Sequence, residues 1–279
     1  MNRKFSIIGA GNLGTRLIYS LVNCPHPGYE LKYIYKKSKF NCFASSVVTD
    51  MDRLVRESGI IFICTQESRI REAVELAAAS SDLPGKIFFH TSNSLTSDEL
   101  VALKSKGAFT ASFSPLQTFA GFDPSREDMG LNLFKDIYFL AEGDSEALKI
   151  AGEIAKALGS NLLIVNKDKK VYFHIAAVCA SNFLIAVLKL AENQLHKTSG
   201  VDISSAPGVL GNDAKMADIK IMLPLIRQTL KNVEIRGVGE SLTGPAKRKE
   251  MGIIQKHLEH MEGDEADLYK ALTEFLGKS

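Results

Sequence analysis

Cysteine is scarce in this chain, and its positions follow no ligand pattern. The 279 residues contain four cysteines, Cys24, Cys42, Cys64 and Cys179, and no two of them form a C-x-x-C pair. None lies near a histidine at zinc-ligand spacing, so we expect no metal site. Scattered cysteines are typical of a reducing compartment, where they serve as small buried hydrophobic residues. This pattern predicts a cytoplasmic location.

The chain also lacks a strong excess of charge and a long apolar run. Its 34 basic and 32 acidic residues leave a formal charge of +2, which gives no reason to expect nucleic acid or an anionic membrane as partner. The first apolar run stops at Gly9 and is too short for a signal peptide. The most apolar later stretch, 175–188, contains Ser181 and Asn182 and also reads as too short for a membrane span. We therefore predict a globular protein that binds neither nucleic acid nor membrane.

Short apolar runs alternate with helical periodicity through the first 166 residues. This alternation predicts an α/β domain with a parallel, doubly wound sheet and helices on both faces. The predicted strands cover 5–8, 31–35, 46–48, 60–64, 87–90, 108–113, 137–140 and 161–165, and the predicted helices 12–22, 51–57, 69–79, 97–103 and 145–158.

Strand patterns end after about residue 167. Helical periodicity predicts helices over 172–196, 217–232, 248–261 and 265–276, with loops at 200–212 and 237–245. We therefore predict two domains: a Rossmann dinucleotide-binding domain over 1–166, and an all-helical substrate and dimerisation domain over 167–279.

A glycine motif stands between the first predicted strand and the first predicted helix. Gly9, Gly11 and Gly14 match the G-x-G-x-x-G pattern at the place where a dinucleotide site needs it. Gly9 would permit the tight turn, Gly11 the approach of a pyrophosphate, and Gly14 close packing of helix on strand. The backbone N–H groups at Asn12 and Leu13 would then face the phosphates. The alternative is a glycine-rich turn without a ligand.

The end of the second predicted strand indicates which dinucleotide is bound. NAD sites usually carry a carboxylate there, which bonds the ribose 2′-hydroxyl. This chain has Lys36, Lys37 and Ser38 instead, about 22 residues after Gly14. Cations and a hydroxyl suit the 2′-phosphate of NADP, so we expect NADP rather than NAD or a flavin. The alternative is a solvated loop whose lysines bind nothing.

Two further segments come to the carboxyl edge of the predicted sheet, where ligands of such sheets bind. Cys64, Thr65 and Gln66 follow one strand, and His90 and Thr91 end and follow the next. We predict that these five residues contact the cofactor.

Polar residues beside them are candidates for substrate binding. Ser92 is expected to orient the substrate, and Asn93, Ser94 and Gln117 to contact it. A turn that caps the next helix, with Ser97 as N-cap, explains the same hydroxyls equally well.

The helical half offers one residue for proton transfer and two for binding. His174 opens the long helix, Asn182 lies eight residues later, and Arg248 follows a Gly-Pro loop. We predict that His174 donates the proton, Asn182 orients the substrate and Arg248 supplies charge. A histidine bonded within a core and a solvated arginine are the alternatives. His257 and His260 have metal-ligand spacing but are predicted to lie on a solvated face.

The chain resembles a bacterial family of Rossmann-like proteins with a C-terminal domain of unknown function. The motifs that carry this resemblance are 171–182 (VYFHIAAVCASN), Asn232, 242–245 (LTGP), Arg248, His257 with Leu258, 90–92 (HTS) and 115–119 (PLQTF).

The family is similar in architecture to 6-phosphogluconate dehydrogenase, 3-hydroxyisobutyrate dehydrogenase and pyrroline-5-carboxylate reductase. That similarity implies an active site in the interdomain cleft and a homodimer formed through the helical domain. It implies an NADP(H)-linked oxidoreductase but supplies no substrate.

Several positions depart from the family pattern. Ser114 stands where a His is expected, Asn93 where a Gly is expected, and Lys249 with Glu250 where Gly and Asp are expected. If Asn182 matches the helix Asn of the hydroxyacid dehydrogenases, Val178 holds the place of their catalytic Lys, so that residue cannot be carried over.

The sequence thus supports two hypotheses about function. The first is an NADP(H)-dependent oxidoreductase that transfers hydride to or from a small polar metabolite. The second is a non-catalytic NADP(H)-binding sensor or interaction protein.

Overall fold

The chain forms two compact units, Met1–Ser181 and Asn182–Ser279. The computed structural model describes residues 3–24, 28–36, 46–119, 133–198 and 214–277. The predicted domain boundary, after residue 166, follows the last strand of the first unit, and it stays a prediction.

An eight-stranded sheet, in the order β3-β2-β1-β4-β5-β6-β7-β8, organises the first unit. Its strands are β1 (Lys4–Ile8), β2 (Glu30–Tyr35), β3 (Val47–Val48), β4 (Ile60–Ile63), β5 (Ile87–His90), β6 (Phe109–Pro115), β7 (Tyr138–Gly143) and β8 (Asn161–Ile164). Strands β1 to β6 are parallel, β7 pairs antiparallel with β6, and β8 runs parallel to β7. The predicted all-parallel sheet is therefore wrong at the β6–β7 pair, because an apolar run predicts burial but carries no information on strand direction.

Helices cover both faces of this sheet, as predicted. The helices of the first unit are α1 (Asn12–Val22), α2 (Met51–Glu57), α3 (Ile70–Ala78), α4 (Val101–Lys104), α5 (Ser145–Ala157) and α6 (Lys170–Val178). Phe62 of β4 faces a core built with α1 and α5, while its neighbours Ile61 and Ile63 face a second core built with α2, α3 and α4. This alternation of neighbouring side chains gives the sheet two buried faces and leaves the carboxyl ends of its strands as an accessible edge.

The segment after β5 differs from its prediction. Ser97 is not the N-cap of a helix over 97–103: the N-cap is Thr96, and a 3-10 turn, Ser97–Leu100, precedes α4. The N–H and the hydroxyl of Ser97 instead donate to the two carboxylate oxygens of Glu142, each at 2.7 Å. Ser97 therefore bonds a buried carboxylate on β7, distant in sequence, and does not cap a helix.

All the regular elements of the second unit's described residues are helices. Its helices are α7 (Leu184–His196), α8 (Ala214–Ser241), α9 (Gly244–Arg248), α10 (Met251–Leu258) and α11 (Gly263–Leu276). The predicted loop over 237–245 is wrong in extent, because helical structure continues to Ser241 past a kink at Gly237 (φ 77°). The predicted helix over 248–261 is interrupted, because Lys249 adopts a left-handed conformation between α9 and α10. The predicted loop at 200–212 lies outside the described residues.

Within the described ranges, one helical stretch is long and apolar enough to cross a membrane. It covers Lys167–His196, contains the π-helical turn Cys179–Phe183, and reaches a mean hydropathy of 2.0 over 18 residues. The run 175–188, predicted to be too short for a span, lies inside this longer helical stretch, and the prediction of no membrane stays a prediction. Length and composition alone are weak evidence for a span.

Candidate functional site

The glycine turn between β1 and α1 has the geometry of a phosphate-binding turn. Gly9 has a φ of 95°, and a Cβ there would lie 2.9 Å from the backbone N of Thr65. A Cβ at Gly14 would lie 2.3 Å from the Gly9 carbonyl oxygen, so α1 packs directly on the turn. A Cβ at Gly11 would meet no atom within 4 Å. Two glycines are therefore required by the protein itself, while the third faces open space.

The N-terminus of α1 opens at this free space. Gly11 is the N-cap and makes no side-chain cap, so the first N–H groups, including those of Asn12 and Leu13, have no partner within the helix. The Asn12 side chain donates to the Phe119 carbonyl at 3.1 Å, which ties the segment after β6 to the turn. Unbonded N–H groups and the positive end of the helix dipole favour an anion here.

A cleft of about 570 Å³ extends from the glycine turn, within the size range of small-molecule sites. It lies over the carboxyl ends of β1, β2 and β4 and along one face of α3. Its lining residues are Ile8, Gly9, Ala10, Gly11, Tyr35, Lys36, Cys64, Thr65, Gln66, Arg69, Glu72, Ala73 and Leu76.

Lys36 reaches into this cleft from the end of β2. Its ammonium group donates to the carbonyl of Ala10, inside the glycine turn, at 2.9 Å. The cation therefore lies beside the place where the turn would hold phosphates. Lys37 and Ser38, predicted to act with it, lie outside the described residues.

The three predicted contacts after β4 all line the cleft. Burial raises the pKa of the Cys64 thiol to about 12, so it stays protonated at neutral pH and acts as an apolar wall. The Thr65 hydroxyl oxygen is buried and bonds to no residue in the described part of the chain. Gln66 is exposed at the cleft surface. Thr65 thus brings an unused polar group to the site.

His90 is buried completely, and both ring nitrogens hold the loop that follows it. Nε2 lies 2.9 Å from the Thr96 carbonyl, and Nδ1 accepts from the Ser92 N–H at 3.3 Å. Burial and the nearby Lys170 lower the pKa of His90 to about 4, so the ring is neutral at neutral pH. The predicted cofactor residue thus directs its ring into the loop. Thr91 bonds the Ile63 carbonyl through its N–H (3.3 Å) and its hydroxyl (3.4 Å).

Ser92 and Ser94 converge on a carboxylate that the sequence analysis did not select, Glu67. Both hydroxyls donate to the same oxygen, Oε1, the Ser94 bond being 2.6 Å. Ser92 also accepts from the N–H groups of Ser94 (3.1 Å) and Leu95 (3.0 Å). Partial burial raises the pKa of Glu67, but the two hydroxyls and the nearby His174 outweigh it and lower the pKa overall. The loop therefore presents a fixed, ionised carboxylate.

Lys170, the first residue of α6, is buried and bonds the backbone of the Ser92–Ser94 loop and the residue after it. Its side chain is 1% exposed, and its ammonium group donates to the Ser92 carbonyl at 2.9 Å, to the Leu95 carbonyl and to the Ser112 hydroxyl. The Glu142 carboxylate lies 3.9 Å away. Burial lowers the pKa of Lys170 to about 8, although Glu142 opposes the shift. Lys170 was not predicted from the sequence because it stands in a run of charged residues; its i,i+4 spacing to His174 was the available signal.

His174 lies one helical turn after Lys170 and close enough to Glu67 for their charges to interact. Its Nδ1 atom is buried and has no hydrogen-bond partner among the described residues. Such an atom is costly unless a ligand or water completes it. His174 therefore has an unused proton-transfer group beside the Ser92–Ser94 loop.

The remaining predicted substrate residues of the first unit differ in how they are used. Asn93 donates to the Pro115 carbonyl at 3.1 Å, and its carbonyl oxygen is buried without a partner in the described ranges. Ser114, where a family His was expected, likewise has a buried hydroxyl oxygen with no described partner. Gln117 is exposed and accepts from the Thr118 N–H at 2.8 Å.

Asn182 and Arg248 belong to the second unit. Asn182 lies in the π-helical turn, a feature frequent at functional sites. Arg248 holds Glu250 with two bonds, at 2.8 and 2.9 Å, so its guanidinium already has a carboxylate partner. His257 and His260 bond Tyr269 and the Lys256 carbonyl, and the described residues contain no cluster of metal-ligating side chains.

Solved structures similar to this chain include a candidate NADP oxidoreductase from Bacteroides fragilis, at 22% identity and a TM-score of 0.76 over 99% of this chain and 98% of that one. A protein from Thermotoga maritima matches at 23% identity and a TM-score of 0.69 over 98% and 97% of the two chains. Pyrroline carboxylate reductase from Plasmodium falciparum, solved with NADP bound, matches at 11% identity and a TM-score of 0.61 over 98% of each.

These similarities confirm the fold: a Rossmann-type α/β region followed by a helical region. No protein of curated function has a detectable match to this chain. One family model matches, over residues 137–275, which include the last two strands and most of the helical region. That model is of a domain of unknown function, DUF2520, and residues 137–275 are similar to it.

Proposed function

We propose that this protein is an NADP(H)-dependent oxidoreductase that transfers hydride to or from a small polar metabolite. The observation that carries the proposal is the cleft at the glycine turn. There the N-terminus of α1 has no side-chain cap, and the ammonium group of Lys36 bonds the Ala10 carbonyl of the turn. The structural neighbours support it, because one is a candidate NADP oxidoreductase and another a reductase solved with NADP.

The residues present fit NADP better than NAD. Lys36 follows β2 at the position from which an NAD site presents a carboxylate, and residues 36–45 contain three lysines and no Asp or Glu. A carboxylate there would repel the 2′-phosphate, whereas the ammonium group attracts it. The glycine turn would hold the pyrophosphate and Lys36 the 2′-phosphate.

When bound, the nicotinamide ring would supply or accept the hydride. The residues of the chain then have three tasks: to bind the substrate, to orient it and to move a proton. We assign orientation to Ser92 and Ser94, which Glu67 holds in place, and proton transfer to His174 Nδ1. Asn93 and Gln117, together with Asn182 and Arg248 from the second unit, complete the proposed substrate residues. The predicted position of the substrate between the two domains is part of the proposal.

We further propose that the protein is cytoplasmic and acts as a homodimer joined through its helical region. Large apolar side chains exposed on the helices of the second unit support the dimer, among them Leu225, Ile235, Val238 and Phe275. Light scattering on the purified protein tests it: a dimer in the absence of detergent is expected, and a chain that stays in solution only with detergent would contradict it.

Substrate turnover tests the oxidoreductase directly. Purified protein is incubated with NADPH and panels of small aldehydes, ketones and cyclic imines, and the loss of absorbance at the nicotinamide band is followed. We expect turnover with at least one class, its loss in H174A with NADPH affinity unchanged, and full turnover in the control H260A, whose ring bonds the Lys256 carbonyl. NADPH binding without turnover on any panel would favour the sensor hypothesis.

A further inference from the structure

One face of α3 and the turn before it lines the cleft opposite Lys36. Arg69 ends the 3-10 turn that leads into α3, and Ala73 and Leu76 follow at i+4 and i+7, on the same face of the helix. All three line the cleft. Glu72 lines the cleft as well, so this side combines two apolar residues with one carboxylate and one cation, Arg69.

Arg69 differs from the other arginines of this region in having no partner among the described residues. Its guanidinium makes no ion pair, hydrogen bond or ring contact with the described residues. Three arginines of the neighbouring helices hold carboxylates: Arg53 with Glu57 at 3.1 Å, Arg56 with Asp52 at 3.0 Å, and Arg71 with Glu99 at 3.5 Å. Arg69 therefore brings to the cleft a guanidinium that no described carboxylate bonds.

The strand order places this charge across the glycine turn from Lys36. Strand β1 lies between β2, which ends beside Lys36, and β4, which leads to Arg69. Two strands that flank a third lie about 10 Å apart, a gap that an arginine and a lysine side chain span together. Lys36 already extends toward the middle of this gap, since it bonds Ala10.

NADP carries two anionic groups, and the first is accounted for. The pyrophosphate would occupy the glycine turn and the N-terminus of α1, which leaves the 2′-phosphate. A guanidinium binds phosphate through two parallel hydrogen bonds and is well suited to this group. Resting on the proposed function, we infer that Arg69 is the second cation of the 2′-phosphate subsite and the residue that most separates NADPH from NADH.

Calorimetric titration of the full chain tests this inference without a known substrate. The probes are NADPH, NADH, and the half-molecules 2′,5′-ADP and 5′-ADP. In R69A we expect NADPH and 2′,5′-ADP to bind at least about tenfold more weakly, as loss of a charged hydrogen-bond pair implies, with NADH and 5′-ADP within about twofold of wild type. R69K should recover part of the lost NADPH affinity, because lysine keeps the positive charge but cannot make two parallel hydrogen bonds to the phosphate. R71A is the matched control and should bind all four as wild type does, since Arg71 pairs with Glu99.

The remaining outcomes overturn the inference. An equal loss for NADPH and NADH in R69A would place Arg69 on the adenine or the pyrophosphate, which both nucleotides share. Unchanged NADPH binding in R69A would remove Arg69 from the site and leave the proposed function standing. Failure of the wild type to bind either nucleotide would overturn the proposed function as well. Equal melting temperatures of R69A and wild type show that the variant is folded.

Discussion

The two units of this protein differ in where they keep their apolar side chains. Among the described residues, every buried hydrophobic side chain except Ile254 belongs to the first unit. In the second unit Leu225 is 64% exposed, Ile235 68%, Val238 77% and Phe275 73%. The first unit therefore contains its own core, whereas the second presents apolar helices that its described residues do not cover.

This difference shows what apolar periodicity in the sequence predicts and what it leaves open. Apolar periodicity predicts a helix or strand in both units, because it reports which residues avoid water. It does not report what covers them. In the first unit the cover is the sheet and its helices, and in the second we propose a second copy of the chain.

Replacing a leucine by alanine should change the unfolding free energy far more in the first unit than in the second. Leu17, on α1, is buried, so Leu17→Ala should lower the unfolding free energy by about 2–5 kcal/mol. Leu225→Ala should cost under about 0.5 kcal/mol in dilute protein, because its side chain is exposed. Urea unfolding measures both. A cost for Leu225→Ala that grows with protein concentration would sharpen the comparison by showing that an association buries it.

Glycines offer a second contrast between the units. Gly14→Ala should destabilise the first unit by about 3 kcal/mol, because its Cβ would overlap a backbone oxygen that cannot move away. Gly252 lies within α10 and has open space around it, so Gly252→Ala should stabilise the chain by about 0.5–1 kcal/mol. Thermal melting distinguishes the two, and a stable Gly14→Ala variant would contradict the tight packing of α1 on the turn.

Buried polar groups of the first unit should make its stability depend on pH. The pKa of His90 is about 4 in the folded chain and 6.5 in its ordinary state. The unfolded chain therefore binds the extra proton first as pH falls, and folding loses stability between pH 6.5 and 4. The loss should approach about 3 kcal/mol. Urea unfolding across this range should show a shallower pH dependence in His90→Gln, and equal slopes would contradict the buried, neutral ring.

The smallest effects concern two residues with left-handed backbone, one in each unit. Lys249 has φ 54° and Asp136 has φ 62°. Glycine adopts this conformation without strain, so Lys249→Gly should stabilise the chain by about 0.5–1 kcal/mol. Asp136→Gly should gain less, because aspartate tolerates the conformation better than lysine does. The melting temperatures of the two variants test whether Lys249→Gly gains more stability than Asp136→Gly. A Lys249→Gly variant less stable than the wild type would contradict this prediction.

Local features of the first unit were predictable from the sequence. The bounds of α1, α2 and β5 are those that apolar periodicity and the flanking polar residues indicate. Gly9 and Gly14 have the turn and packing roles that the motif assigns, because each role depends on a few adjacent residues, and the role of Gly11 at a pyrophosphate stays a prediction.

Long-range contacts were not predictable in the same way. Lys170 bonds residues more than 50 positions away, Glu142 takes the bonds of Ser97, and Glu67 holds two serines of another loop. Each of these charged residues resembles an ordinary surface residue in the sequence, and only the strand order brings it to its partners. The candidate site could therefore be recognised only from the fold, whereas the glycine turn could be recognised from the sequence.

Titration of Gly11→Ala with NADPH tests the central claim most directly. A methyl group at Gly11 meets no protein atom, and φ there is −82°, so the variant should fold as the wild type does. We expect one NADPH per wild-type chain. In Gly11→Ala, with an unchanged melting temperature, the affinity should be lower by about tenfold or more, because the methyl group would occupy the path of the pyrophosphate. Equal affinities, or no binding by the wild type, would contradict a dinucleotide in this cleft.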